Sequence, residues 1–198
     1  MAGCAAAGLA AGAALSSDDG DRREERQPQA QVSAPAEEEA SPSPTADPVE
    51  AQAKALDELL KDSNNSRTTV IRSVENIRQC KELEKAAEDL RDAARQRNDL
   101  VTRLGDIEID ELPDSQELAD SLTKAWKASA AADDHYAAWA DQVAGKRGCH
   151  KGQARNTQET ARGNRASGEA TAAKKEAAAL WNPTARKYGL PERQFTDL

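Results

Sequence analysis

Hydrophobic residues from position 51 onward recur every three or four residues, which is the spacing of α-helices that bury one face. The clearest run follows Pro113 and consists of Leu118, Leu122, Ala125, Ser129, Ala132, Tyr136, Trp139 and Val143. Steps of four and three residues alternate along it, which indicates a helix packed against nearly parallel neighbours, as in a coiled coil. Asp114 marks the predicted start of this helix, with Glu117 three residues later as its capping-box partner.

Three further helical segments share this spacing, and the four together predict the fold. The first segment is interrupted at residues 63–66, where Ser-Asn-Asn-Ser predicts a break or a helix cap. The second ends near Gly105, a predicted C-cap. The last begins at Gln158, and Pro183 is expected to end or kink it, because proline lacks the backbone N–H that a helix interior uses. We therefore expect residues 51–198 to form an all-α, up-down-up-down bundle of about four helices.

The first 50 residues have a different composition. Residues 1–16 form an apolar run rich in Ala and Gly, which matches the central region of an export signal or a partial membrane anchor. The alternative is an Ala-rich disordered tail, since no basic residue precedes the run. Residues 17–50 are rich in Pro, Ser and Glu and contain ten acidic residues and three arginines. Such a segment cannot bury enough apolar surface to fold, so we predict a disordered acidic linker.

The acidic charge of the chain lies mainly in this predicted linker. The formal net charge is -8, and the region beyond residue 50 is nearly neutral. A nearly neutral folded region gives no general attraction to nucleic acid, so a nucleic-acid partner is not expected.

Two cysteines connect the predicted topology to a compartment. Cys80 lies near the first junction between helices, and Cys149 lies in the third. In an up-down-up-down bundle these junctions are at the same end, so we predict a disulfide between the two residues. Such a bond indicates an oxidising, extracytoplasmic compartment. The alternative is a pair of unbonded thiols in a cytoplasmic protein.

The sequence contains no strong signature of a catalytic, cofactor-binding or metal site. There are two histidines and three cysteines, and neither CxxC nor HExxH occurs. The acidic turn from Asp106 to Glu117 resembles a calcium loop in spacing but has Glu111 where that loop requires glycine. The adjacent Asp133, Asp134 and His135 are interpreted as ordinary helix surface rather than an acid–base pair.

Two groups of residues are candidate contacts for a partner or a ligand. Trp126, Trp139 and Trp181 are most simply core residues, with exposed anchors for a partner as the alternative. Arg155, Arg162 and Arg165 belong to a basic stretch that can hold phosphates or anionic envelope polymers. No aromatic residue interleaves with this stretch, so stacking on single-stranded nucleic acid is not supported.

Four segments carry a resemblance to a known group of proteins: KDSNNSR at 61–67, ADDHYAAWA at 132–140, GC at 148–149 and LWNPTARKYGL at 180–190. They resemble Ala-rich envelope proteins of actinobacteria, a group to which no activity is assigned. This resemblance implies an exported, membrane-associated helical protein and transfers no functional residue.

These observations favour a non-enzymatic, extracytoplasmic module that binds a partner protein or an anionic envelope component, with membrane proximity through its N-terminus. The first alternative is a small-ligand-binding or sensory bundle whose pocket is lined by the Trp and Tyr residues. The second alternative is an enzyme with polar groups converging near His135 or His150. No cofactor is expected in the leading interpretation.

Overall fold

The computed structural model describes residues 47–145 and 147–198, and the predicted export signal and the linker up to residue 46 lie outside them. Five α-helices form the described part: α1 (Pro48–Asp62), α2 (Arg67–Arg78), α3 (Leu83–Asp106), α4 (Ser115–Val143) and α5 (Gln158–Lys187). An antiparallel hairpin of β1 (Cys149–His150) and β2 (Gln153–Ala154) precedes α5, and a 3-10 turn (Phe195–Asp197) follows it. None of the described helices has the length and hydrophobicity to cross a bilayer.

The helices form the predicted up-down-up-down bundle, in which α1 and α2 together make the first arm. One core cluster joins α1 to the end of α3, the start of α4 and the end of α5. A second cluster joins α2 to the start of α3, the end of α4 and the start of α5. This alternation of starts and ends means that successive arms run in opposite directions, so the predicted fold class is confirmed.

The break between α1 and α2 places two serine hydroxyls in the interior. Trp126 Nε1 donates a hydrogen bond to Ser63 Oγ at 2.8 Å, and Arg97 Nη1 donates one to Ser66 Oγ at 2.9 Å. Both serines are buried, so these bonds satisfy two hydroxyls that would otherwise lack partners in the interior.

The predicted buried face of α4 is confirmed, since all eight residues of the predicted run are buried. Asp114 is at the N-cap position as predicted, but its backbone is left-handed at φ 51° and its side chain makes no capping hydrogen bond. The predicted capping box with Glu117 is therefore wrong, while the predicted start of the helix is correct.

Two boundaries differ from the sequence-based prediction. The linker was expected to run through residue 50, but α1 begins at Pro48, where Asp47 caps it by accepting a 3.0 Å hydrogen bond from the Val49 N–H. At the other end, α5 continues past Pro183 to Lys187, so of the two predicted effects the proline does not end the helix. Packing on both sides of the proline outweighs its helix-breaking tendency, because the flanking Trp181 and Ala185 are both fully buried.

The predicted disulfide is confirmed. Cys80, in the loop between α2 and α3, is bonded to Cys149 in the hairpin before α5, with a Cα–Cα distance of 6.1 Å. The bond closes a chain segment with a sequence separation of 69 residues, for which chain entropy predicts a stabilisation of about 4 kcal/mol.

Candidate ligand-binding cavity

A polar cavity of about 270 Å³ lies between α2, α4 and α5, next to the level at which the two core clusters meet. Five of the eight residues that α4 and α5 present here are small: Ser129, Ala132, Ser167, Ala170 and Thr171. Small side chains leave space that larger ones would fill, which accounts for an opening inside an otherwise packed bundle.

The centre of the cavity wall is a buried ion pair between Arg97 of α3 and Asp133 of α4. Their side chains are only 8% and 3% exposed, and Arg97 Nη1 lies 2.8 Å from Asp133 Oδ2. Arg97 Nη1 donates its hydrogen bonds instead to Ser66 Oγ and the Ala93 carbonyl, at 2.9 Å and 3.2 Å. Asp133 Oδ2 consequently accepts no hydrogen bond from any described residue. Asp133 therefore lines the cavity and holds one buried carboxylate oxygen that accepts no hydrogen bond.

Two further cations line the cavity, Arg67 of α2 and Lys174 of α5. Burial lowers the pKa of Lys174 to about 8, and the charges of Arg97 and Arg67 act in the same direction while Asp133 opposes them. Neither Arg67 nor Lys174 forms a salt bridge with a described residue. Asp133 is the one acidic side chain among the lining residues, which also include the cationic side chains of Arg67, Arg97 and Lys174.

Burial also dominates the ionisation of the ion pair itself. It raises the pKa of Asp133 to about 7, although the charges of Arg97 and Lys174 oppose this and only Asp134 adds to it. Burial likewise lowers the pKa of Arg97 despite the attraction of Asp133. Both members are thus shifted toward their neutral forms, which shows that their mutual attraction does not offset the loss of hydration.

Tyr136 forms part of the cavity wall, and its hydroxyl donates a 2.9 Å hydrogen bond to Asn164 Oδ1 on α5. Its ring packs directly on Gly163, where an added Cβ would lie 2.7 Å from the ring Cε1 atom. The contact requires glycine at this point of α5.

Another part of the cavity wall comes from residues 191–198, which follow α5 and pack against the bundle. Arg193 pairs with the buried Asp57 of α1 at 2.6 Å, and its backbone exchanges two hydrogen bonds with the Asn182 side chain, at 2.8 Å and 3.0 Å. This anchoring brings Phe195 and Leu198 to the cavity wall.

The predicted aromatic contacts lie elsewhere. Trp126, Trp139 and Trp181 are 1%, 2% and 0% exposed, so they are core residues and are not available as surface anchors. None of them lines this cavity, and the expected tryptophan-lined pocket is wrong as a description of it. Tyr136 is the aromatic residue considered from the sequence that does line it.

The predicted basic contacts, Arg155, Arg162 and Arg165, are exposed and also lie away from the cavity. Arg162 is held by Glu159 at 2.7 Å, and Glu159 is contacted at the same distance by His135 Nδ1.

The interpretation of Asp133 as helix surface is wrong, whereas Asp134 is exposed as expected. The sequence carried a usable signal for the residues that were missed. Arg97 follows Ala94 by three positions and precedes Leu100 by three, so it occupies a position of α3 that should be apolar. A charged residue at a position where the helical repeat places apolar residues predicts a buried polar site.

Comparison with protein-family models, curated proteins and solved structures finds no match to this chain.

Proposed function

We propose that this protein is a helical bundle that binds a small anionic ligand in the cavity between α2, α4 and α5. The observation that carries the proposal is the excess of cationic side chains around a polar space: Arg67, Arg97 and Lys174 line it, and Asp133 is the one acidic side chain among the lining residues. Burying a charge without compensation costs several kcal/mol. An anion bound in the cavity would supply the missing negative charge.

The arrangement is a poor one for stability alone. The Arg97–Asp133 pair leaves one carboxylate oxygen unsatisfied, and its surroundings include an unfilled space and two more cations. Apolar side chains of similar size would fill the same volume at lower cost. Groups with pKa values shifted by burial and by specific charge partners inside a cleft are typical of functional sites.

We propose that the protein binds rather than transforms its ligand, and that it does so outside the cytoplasm. Neither His135 nor His150 lines the cavity, so the histidines considered for an enzyme are away from this site. The Cys80–Cys149 disulfide supports an oxidising compartment. A sensory role and the membrane proximity implied by the N-terminal sequence remain part of this proposal.

The test uses the full oxidised chain and two lysine variants in a thermal-shift titration. The probes are 3-phenylpropanoate, succinate and inorganic phosphate. Lys174→Met removes one cavity charge, and its fold should persist because burial already disfavours that charge. Lys127→Met is the matched control on the exposed surface of α4.

We expect at least one probe to raise the unfolding midpoint of the wild-type chain. The Lys174→Met variant should require at least tenfold more of that probe, and Lys127→Met should match the wild type. A wild-type midpoint that none of the probes moves at millimolar concentration, or equal binding by Lys174→Met, contradicts the proposal.

The envelope-binding module predicted from the sequence is a second candidate, favoured by the exposed Arg155 and Arg165, which form no salt bridge with a described residue. Cosedimentation with phosphatidylglycerol vesicles tests it. Arg155→Ser/Arg165→Ser should reduce binding, while Lys124→Ser/Lys127→Ser, which removes equal charge elsewhere, should not. Equal loss in both double variants would leave only nonspecific attraction.

A further inference from the structure

A ligand that fits the cavity should carry a hydrogen-bond donor as well as a negative charge, because Asp133 Oδ2 has no donor partner. Asp133 lines the cavity, and its Oδ2 atom is buried and accepts no hydrogen bond from a described residue. An unsatisfied buried acceptor costs more than a partnered one, and the cost is larger for a charged group. A ligand that places an N–H donor against Asp133 removes this cost.

The cations that remain for a ligand are Arg67 and Lys174. Arg97 already donates to Ser66 and to the Ala93 carbonyl and contacts Asp133, whereas the other two form no salt bridge with a described residue. A carboxylate matches them in charge, and arginine binds carboxylates in a planar, two-bond geometry. The cavity thus offers a hydrogen-bond acceptor at Asp133 and a position at Arg67 and Lys174 that can bind a carboxylate of the ligand.

The mouth of the cavity is apolar. Ile71 and Phe195 line it and are 57% and 37% exposed, and they are the large hydrophobic side chains that the described residues leave exposed. Val70 and Leu198 continue the same apolar lining. Because both exposed residues belong to one cavity, they provide a surface for an apolar part of the ligand.

We propose, building on the proposed function, that the ligand is an α-amino acid or close derivative with an apolar side chain. Its ammonium donates to Asp133, its carboxylate is held by Arg67 and Lys174, and its side chain packs against Ile71 and Phe195. A volume of about 270 Å³ suits a ligand of this size, since pockets for larger, drug-sized ligands begin at about 300 Å³.

Isothermal titration calorimetry with three matched probes separates the charges. L-phenylalanine carries both charged groups, 3-phenylpropanoate carries only the carboxylate, and 2-phenylethylamine carries only the ammonium. We expect L-phenylalanine to bind at least tenfold more tightly than either of the other two. If 3-phenylpropanoate binds as tightly as L-phenylalanine, the proposal of an amino-acid ligand is wrong, while the proposed anion-binding function is still supported. Failure of all three, together with the succinate and phosphate probes, overturns both.

The variant Asp133→Asn should abolish the preference for L-phenylalanine over 3-phenylpropanoate. Asp134→Asn, the neighbouring exposed carboxylate on the same helix, should retain it. If Asp133→Asn does not fold, Phe195→Ala provides the second test, because this half-exposed side chain lies at the mouth of the cavity. It should reduce the preference for L-phenylalanine over glycine by at least threefold, and an unchanged preference contradicts the assigned orientation.

Discussion

The Arg97–Asp133 pair allows a test of whether the cavity residues serve binding or stability. The perturbation is the double substitution Arg97→Met/Asp133→Leu, which replaces both charges by apolar groups of similar size. Burial raises the pKa of Asp133 from 3.8 to about 7, and each pKa unit corresponds to about 1.4 kcal/mol. Keeping Asp133 ionised at pH 8 therefore costs up to about 4 kcal/mol relative to the unfolded chain.

The double variant also loses the hydrogen bond from Arg97 to Ser66, whose contribution is about 1.5–3 kcal/mol for a charged donor. The balance predicts a ligand-free protein that is as stable as the wild type or up to about 3 kcal/mol more stable at pH 8, and that no longer binds the ligand. This is the exchange of stability for function that buried polar sites commonly show.

The assay is guanidinium unfolding of the full oxidised chain at pH 8. Arg103→Met/Asp62→Leu is the control, because it makes the same substitutions in an exposed pair whose atoms are 2.9 Å apart, and its effect should stay within about 1 kcal/mol. A loss of more than about 2 kcal/mol in the Arg97/Asp133 double variant, with the control unchanged, would refute the reasoning and assign the pair a structural role.

Three further predictions concern stability. Because the pKa of Asp133 is higher in the folded chain than in the unfolded chain, the protonated carboxyl favours the folded state below about pH 4, and this stabilisation is lost as the pH rises to about 7. Urea unfolding should therefore show the free energy of unfolding of the wild type falling over that range by up to about 4 kcal/mol relative to Asp133→Asn. Gly163→Ala should destabilise by about 1–3 kcal/mol in thermal unfolding, whereas Gly168→Ala, with open space around it, should stabilise slightly. Cys80→Ala/Cys149→Ala should lower the unfolding free energy by about 2–5 kcal/mol, and reductant should then have no further effect.

The bundle and its disulfide could be predicted from the sequence because both depend on regular spacing. Hydrophobic periodicity identifies the face that each helix buries, and α4 shows it in every residue of its run. The alternation of helix directions then places Cys80 and Cys149 at one end. The disulfide could be predicted because it depends only on the direction of each helix and on the junctions in which the two cysteines lie.

The cavity was less predictable, because it depends on how neighbouring helices meet. Asp133 directly follows Ala132 of the buried run, and its burial depends on how α4 packs against its neighbours, including α3, whose Arg97 pairs with it. Pro183 does not end α5, and the burial of Trp181 and Ala185 on either side of it is a tertiary effect that local sequence does not reveal. Arg97 is the exception, since its place in the apolar phase of α3 signalled a buried charge in advance.

The most direct test of the central claim is a crystal structure of the full oxidised chain soaked with L-phenylalanine. The account predicts electron density in the cavity between α2, α4 and α5, with the carboxylate at Arg67 and Lys174 and the ammonium at Asp133. An empty cavity at a saturating concentration, or a ligand bound only on the outer surface, would contradict it.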